Sequence, residues 1–138
     1  MNKENLPMNH RVTFIVTSVL AALLAAFHVA DDIVRGFEGG GPSNMTMVFI
    51  LVVWLYAALV LSERRLGYVI VLVMSILGSG VPVIHMRGAG MVGGRIANSS
   101  GKFFWVWTLL ALGTTTILSA ILAAHGLWRL HRAQARRN

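Results

Sequence analysis

The sequence predicts an all-α, polytopic membrane protein with four transmembrane helices in a single domain, residues 1–138. Hydrophobic residues make up 56% of the chain and charged residues only 12%, about half the share of charge in a typical soluble domain. Four apolar segments each approach the roughly 20 residues that cross a hydrocarbon core. No polar–apolar alternation over segments of roughly ten residues occurs, which excludes a membrane β-barrel. The absence of cysteine excludes a disulfide scaffold and a thiolate metal site.

The four predicted helices cover residues 12–34, 45–62, 66–86 and 103–128. The first follows Lys3 and Arg11, as the apolar core of a signal peptide would, but no A-x-A cleavage pattern comes after it. We therefore expect this segment to be retained as a helix. The second and third segments are separated only by residues 63–65, which predicts a tight antiparallel hairpin.

Small residues spaced four apart predict the contact faces, because they let helices approach closely in lipid. Helix one carries Ser18, Ala22, Ala26 and Ala30, and helix four carries Ala111, Thr115, Ser119 and Ala123. Helix two has mostly large side chains. We expect helices one, three and four to form the core and helix two to face lipid more.

The distribution of Lys and Arg predicts the orientation, since these residues are enriched on the cytoplasmic side. One side carries Lys3, Arg11, Arg64, Arg65, Arg129, Arg132, Arg136 and Arg137, and the other carries Arg35, Arg87, Arg95 and Lys102. Both termini are therefore predicted to be cytoplasmic, in a bacterial inner membrane. Topology accounts for the net charge of +7, so no nucleic-acid partner is expected. The basic tail, residues 129–138, is expected to meet anionic lipids.

Ionisable residues collect at the outer ends of helices one and three. His28, Asp31, Asp32 and Arg35 share one helical face, and His85 ends helix three at a similar depth. Histidine and carboxylate side chains together are typical ligands of zinc, iron or copper, so His28, Asp31, Asp32 and His85 are candidate metal ligands. The alternative is a structural cap, in which Asp31 pairs with Arg35, Asp32 faces headgroups and His28 bonds a backbone carbonyl.

The same histidines allow a haem interpretation. Bis-histidine ligation of haem b places two imidazoles on opposite faces of a porphyrin. His28 and His85 form one such pair at the outer side, and His10 and His125 form another at the inner side. A divalent metal and haem b are therefore alternative cofactors, the second of them in an electron-transfer subunit.

Pro82 and two nearby glycines predict a break in the third helix. Pro82 lacks an N–H, and its ring clashes with the carbonyl of Gly78, while Gly80 removes a further side chain. Broken helices line substrate sites in transporters, so Gly78 and Pro82 are candidate ligand-binding residues of an oligomeric transporter or channel. A plain kink repaired by Ser75 or Ser79 is the alternative.

The outer loops, 36–44 and 87–102, are rich in glycine. Residues 88–93 match G-x-G-x-x-G letter for letter, but that fingerprint requires a preceding strand inside a βαβ unit. A membrane helix precedes it here, which excludes dinucleotide binding. Backbone N–H groups beside Arg87 and Arg95 are instead candidates for binding an anion or lipid phosphate. The alternative is a polar cover over the bundle.

No set of residues forms a convincing nucleophile and base, so the sequence predicts binding rather than catalysis. The expected function is that of a small integral membrane protein with a metal or ligand site at its outer end. We expect it to act as a homo-oligomer or as a subunit beside another membrane protein.

Overall fold

The computed structural model describes residues 8–37, 41–42, 44–85 and 100–136. Over these residues the protein is helical and contains no strand, which confirms the predicted all-α class. The four helices are α1 (Met8–Val34), α2 (Asn44–Leu59), α3 (Arg65–His85) and α4 (Lys102–Ala135). Helix α4 therefore continues well into the segment that the sequence analysis treats as the basic tail.

Three of these helices are long and apolar enough to cross a membrane, namely α1, α3 and α4. This indicates a membrane protein. Helix α2 has 16 residues, or about 24 Å of helix, which is shorter than a hydrocarbon core of about 30 Å. The last three residues of the predicted segment 45–62 form the turn into α3 instead. The four-span topology therefore stays a prediction.

Helix α4 packs against both α1 and α3 through small residues. At mid-bundle the hydroxyl oxygens of Ser18 and Ser119 are 2.9 Å apart, and both side chains are fully buried. The buried face of α4 continues through Leu112 and Thr116, whereas the predicted stripe through Ala111 and Thr115 is only half-buried. A strict spacing of four drifts about 40° around a helix at each step, so a straight contact face alternates steps of three and four.

Helix α3 runs without interruption from Arg65 to His85, so the predicted break at Gly78–Pro82 is wrong. Pro82 lies in the last turn, and a Cβ built on Gly113 of α4 would stand 2.9 Å from its ring. A Cβ built on Gly78 would stand 2.7 Å from the methyl group of Thr116. The glycines therefore allow α3 and α4 to pack closely, and they do not unwind the helix.

The other end of the α3–α4 contact is built on an aromatic side chain. Tyr68 is fully buried, and a Cβ added at Gly126 would overlap its ring. The ring of Phe14 on α1 lies 4.7 Å from that of Tyr68, measured between centroids. Helix α2 packs on α1 and α3 and buries Trp54 together with two alanines. The core therefore joins all four helices, since α2 adds Trp54 and both alanines to it, whereas helices one, three and four alone were expected to form it.

Candidate metal centre

The two histidines and one of the aspartates come together at one end of the bundle. His28 and Asp32 stand one turn apart on α1, and His85 is the last residue of α3. His28 and Asp32 are buried, with 3% and 4% of their surface exposed, while the His85 side chain is 29% exposed. The cluster is thus closed on the α1 side and partly open beside His85.

The three side chains present their ligand atoms to one another at short range. The Nε2 atoms of His28 and His85 are 3.0 Å apart, and Asp32 Oδ2 is 3.5 Å from the first and 3.7 Å from the second. In a tetrahedral zinc site with bonds of 2.0–2.1 Å, neighbouring ligand atoms are separated by about 3.3 Å. The observed separations lie on both sides of that value. All three atoms can therefore reach one ion at about 2 Å.

Trp105, in the first turn of α4, orients the carboxylate of this cluster. Its indole Nε1 donates a hydrogen bond of 2.9 Å to Asp32 Oδ1, which leaves Oδ2 for the histidines. Its ring also meets that of His85 edge-on, at 5.4 Å between centroids. Outer-shell partners of this kind hold metal ligands in place. The sequence does not identify Trp105 as part of this site, because nothing local to Trp105 indicates which residue of α1 it faces.

Asp31 is not part of the cluster. Its Oδ2 accepts a hydrogen bond of 2.7 Å from Arg35 Nε, as the structural-cap alternative expects. The guanidinium of Arg35 also donates to the carbonyls of Ser100 and Gly101, at 2.8 and 3.0 Å. Successive residues on a helix point about 100° apart, so Asp31 and Asp32 face different neighbours. The Asp31–Arg35 pair ties the end of α1 to the start of α4, close to Trp105.

The structural-cap alternative also expects His28 to bond a backbone carbonyl and Asp32 to face the headgroups, and neither is observed among the described residues. His28 bonds no backbone carbonyl within the part of the chain that the structure describes, and its buried Nδ1 has no hydrogen-bond partner there. Asp32 is buried beside the histidines and does not face outward. The polar contacts of His28 therefore all run through Nε2, to the other two members of the cluster.

Neither histidine pair fits a bis-histidine haem. Imidazoles on opposite faces of one metal ion are separated by two bonds, about 4 Å between nitrogens, with the macrocycle between the rings. His28 and His85 are in direct contact at 3.0 Å, with ring centroids 4.7 Å apart. His10 and His125 are likewise 3.0 Å apart through Nε2 and Nδ1, with centroids 5.0 Å apart. This packing leaves no slot for a porphyrin in either pair.

Two further predicted ligand residues, Gly78 and Pro82, do not join the cluster. Gly78 is buried against Trp54 and Thr116, and Pro82 packs on α4, so both serve helix packing. Arg87 and Arg95 lie outside the residues that the structure describes. Among the described residues, the candidate metal centre therefore consists of the His28–Asp32–His85 cluster and Trp105.

Comparison with known proteins supplies no relative for this site. No protein-family model, curated protein sequence or solved structure matches the chain. The chemistry of the cluster itself is therefore what points to a function.

Proposed function

We propose that this protein is an integral membrane protein that binds a divalent transition-metal ion at one end of its helical bundle. His28 Nε2, Asp32 Oδ2 and His85 Nε2 are the ligands. The observation that carries the proposal is the spacing of these atoms, 3.0 to 3.7 Å, which matches the edges of a tetrahedral site.

The electrostatics of Asp32 support a bound cation. A buried carboxylate is costly unless it is paired. Trp105 satisfies one oxygen of Asp32, and no Lys or Arg lies within ion-pair distance of the other among the described residues. The nearest arginine on α1, Arg35, pairs with Asp31 instead. A divalent ion between the carboxylate and the imidazoles supplies the missing positive charge.

The donor set favours zinc or a neighbouring transition metal. Two imidazoles and one carboxylate suit zinc, copper and iron, whereas calcium and magnesium prefer oxygen ligands. Three protein ligands leave the fourth position of a tetrahedral zinc ion open to water or a small ligand. The partly exposed His85 provides an approach to that position. The proposal concerns binding, and it assigns no reaction to the site.

The proposal includes the membrane arrangement expected from the charges. Both termini face the cytoplasm of a bacterium, and the metal end of the bundle faces the opposite side. Six of the eight described Lys and Arg residues support it, because they lie at the end away from the cluster, whereas only Arg35 and Lys102 lie beside it. Association with a second copy or another membrane protein belongs to the same proposal. An oligomeric transporter around a broken third helix loses its premise, since α3 is continuous.

Metal analysis of the purified protein tests the proposal. Protein in detergent is stripped with a chelator, dialysed against Zn²⁺ and assayed for bound metal by mass spectrometry. We expect one zinc ion per chain. His28→Ala, His85→Ala and Asp32→Asn each remove a ligand and should each lower the affinity by more than the roughly 10–100-fold cost of losing an outer-shell partner. Asp32→Asn keeps an oxygen that can accept from Trp105.

Three variants serve as matched controls. His10→Ala and His125→Ala disrupt a histidine pair of equal N–N distance at the opposite end. Asp31→Asn removes the neighbouring carboxylate that does not face the cluster. All three should retain the zinc. Zinc binding that survives the His28→Ala/His85→Ala double substitution, or no zinc binding by the unmodified chain, would contradict the proposal.

A further inference from the structure

The protein has a second histidine pair at the end opposite the metal centre. His10 Nε2 on α1 and His125 Nδ1 on α4 are 3.0 Å apart, the same separation as in the His28–His85 pair. The charges around the two pairs differ. Asp32 contacts the outer pair, whereas no carboxylate lies within ion-pair distance of the inner pair among the residues described. The two histidine pairs therefore have the same N–N distance but different charged neighbours.

One arginine lies next to the inner histidine pair. Arg129 lies one turn beyond His125 on α4, where residues four apart are neighbours, and it is half-buried. It forms no ion pair within the described part of the chain. Glu63, the acidic residue of the nearby α2–α3 turn, is held by Arg11 at 3.0 Å. Among the described residues, Arg129 therefore has no carboxylate counter-ion.

The inner histidine pair and Arg129 lie at a depth along the helices that corresponds to a membrane boundary. Helix α4 is 34 residues long, about 51 Å, and so extends well past a hydrocarbon core of about 30 Å. Trp128 stacks on His125, and the guanidinium carbon of Arg132 lies 3.9 Å from the centroid of the Trp128 ring. Tryptophans of membrane helices are enriched at the headgroup level. Exposed apolar side chains continue from this level towards the bundle centre, among them Val12, Val16 and Ile121.

We propose that His125 and Arg129 bind the phosphate group of an anionic membrane lipid, whose acyl chains lie along the exposed apolar surfaces of α1 and α4. His10 contacts His125 Nδ1 through its Nε2 and so orients the ring, while its own Nδ1 is buried and does not reach the phosphate. Imidazole N–H and guanidinium groups donate charge-assisted hydrogen bonds to phosphate oxygens. His125 is exposed, so the phosphate can reach it. Arg129 has no ion-pair partner in the described ranges, so it disfavours a metal cation here, just as Asp32 favours one at the other end. The site rests on the membrane arrangement proposed above, and it is independent of the metal.

Lipid titration tests this site. Delipidated protein in detergent is titrated with short-chain phosphatidic acid and, separately, with phosphatidylcholine of the same acyl chains, and the bound lipid is counted by native mass spectrometry. We expect at least about tenfold tighter binding of phosphatidic acid. His125→Ala and Arg129→Gln should each weaken it by about tenfold or more, the effect of losing one hydrogen bond to a charged group. Arg129→Lys should restore part of the loss.

Two comparisons make the result specific. Arg65→Gln removes an exposed cation at the same end of the bundle but outside the proposed lipid site. It should change the affinity for phosphatidic acid less than twofold. If Arg65→Gln and Arg129→Gln lower the affinity for phosphatidic acid equally, the effect comes from net charge alone, and the proposed site is overturned. Inorganic phosphate that binds as tightly as phosphatidic acid would overturn the assignment to a lipid. His28→Ala, which removes a metal ligand, should leave lipid binding intact, so the two proposals fail separately.

Discussion

Two adjacent carboxylates at the end of α1 have different roles because a helix turns them towards different neighbours. Asp32 faces the histidines and the indole of Trp105, whereas Asp31 faces Arg35 on its own helix. The chemical difference between them comes entirely from these partners. A single-residue change at either position therefore tests a different part of the structure, metal binding in one case and the α1–α4 connection in the other.

Trp105→Phe tests whether the indole positions the metal ligand. The substitution removes the hydrogen bond to Asp32 Oδ1 and keeps an aromatic ring beside His85. We expect the zinc affinity to fall by about 10–100-fold, because losing an outer-shell partner frees the carboxylate to rotate. Competition with a chromophoric chelator measures this. Trp107→Phe is the matched control, since Trp107 is exposed on the same helix, and it should bind zinc as the unmodified chain does. Equal affinities in the two variants would exclude the positioning role.

At the scale of the elements, α3 and α4 approach each other where one helix carries a glycine and the other a bulky group. Gly78 faces Thr116, Gly113 faces Pro82, and Gly126 faces Tyr68. Lipid offers no hydrophobic driving force between helices, so close packing of this kind holds a membrane bundle together. The buried Ser18–Ser119 contact adds one hydrogen bond between α1 and α4. The same packing sets the depth at which α3 presents His85 to α1.

Gly126→Ala tests this packing. The added Cβ would overlap the ring of Tyr68, which is fully buried and has no free space to occupy. We expect a loss of about 1–3 kcal/mol in the free energy of unfolding, the usual cost of overpacking, measured by denaturation in mixed micelles. Gly80→Ala is the matched control, because a Cβ there meets nothing within 4 Å. Alanine also favours a helix over glycine, so Gly80→Ala should be neutral or stabilising. Similar losses in both variants would refute the packing explanation.

At the scale of the whole molecule, the two ends of the bundle are chemically different. One end holds the His28–Asp32–His85 cluster, with its buried carboxylate. The other holds a histidine pair beside Arg129 and Arg132 on the extended α4. This polarity runs along the axis of three helices that are long enough to cross a membrane. The bundle therefore presents a cation-binding surface on one side and an anion-binding surface on the other, in the arrangement we propose.

Cysteine labelling tests the orientation and the status of α2. The chain contains no cysteine, so single substitutions at the exposed Pro42 and Arg64 report the two ends of α2. An impermeant maleimide should label Pro42→Cys in intact cells and Arg64→Cys only after permeabilisation, because the proposed arrangement places the end richer in Lys and Arg in the cytoplasm. Helix α2 is short, so it would span by locally thinning the bilayer. Labelling of both positions from outside would show that α2 does not cross.

The sequence by itself determined the helical class, the apolar segments and the presence of ionisable residues at the ends of the first and third helices. These are local properties, readable from composition and spacing. It also identified His28, Asp32 and His85 as residues that could meet, because the predicted helix topology places them at a similar depth in the membrane.

Only the tertiary structure decided which of these residues belong together. In the structure Asp32, and not Asp31, faces the histidines. Trp105 donates a hydrogen bond to the Asp32 carboxylate, and α3 continues through Pro82 without a break. Each outcome depends on how one helix is rotated against its neighbour, and a rotation of a single residue, about 100°, exchanges one side chain for another. No local pattern encodes that rotation, because it follows from the packing of small and bulky residues along the whole contact.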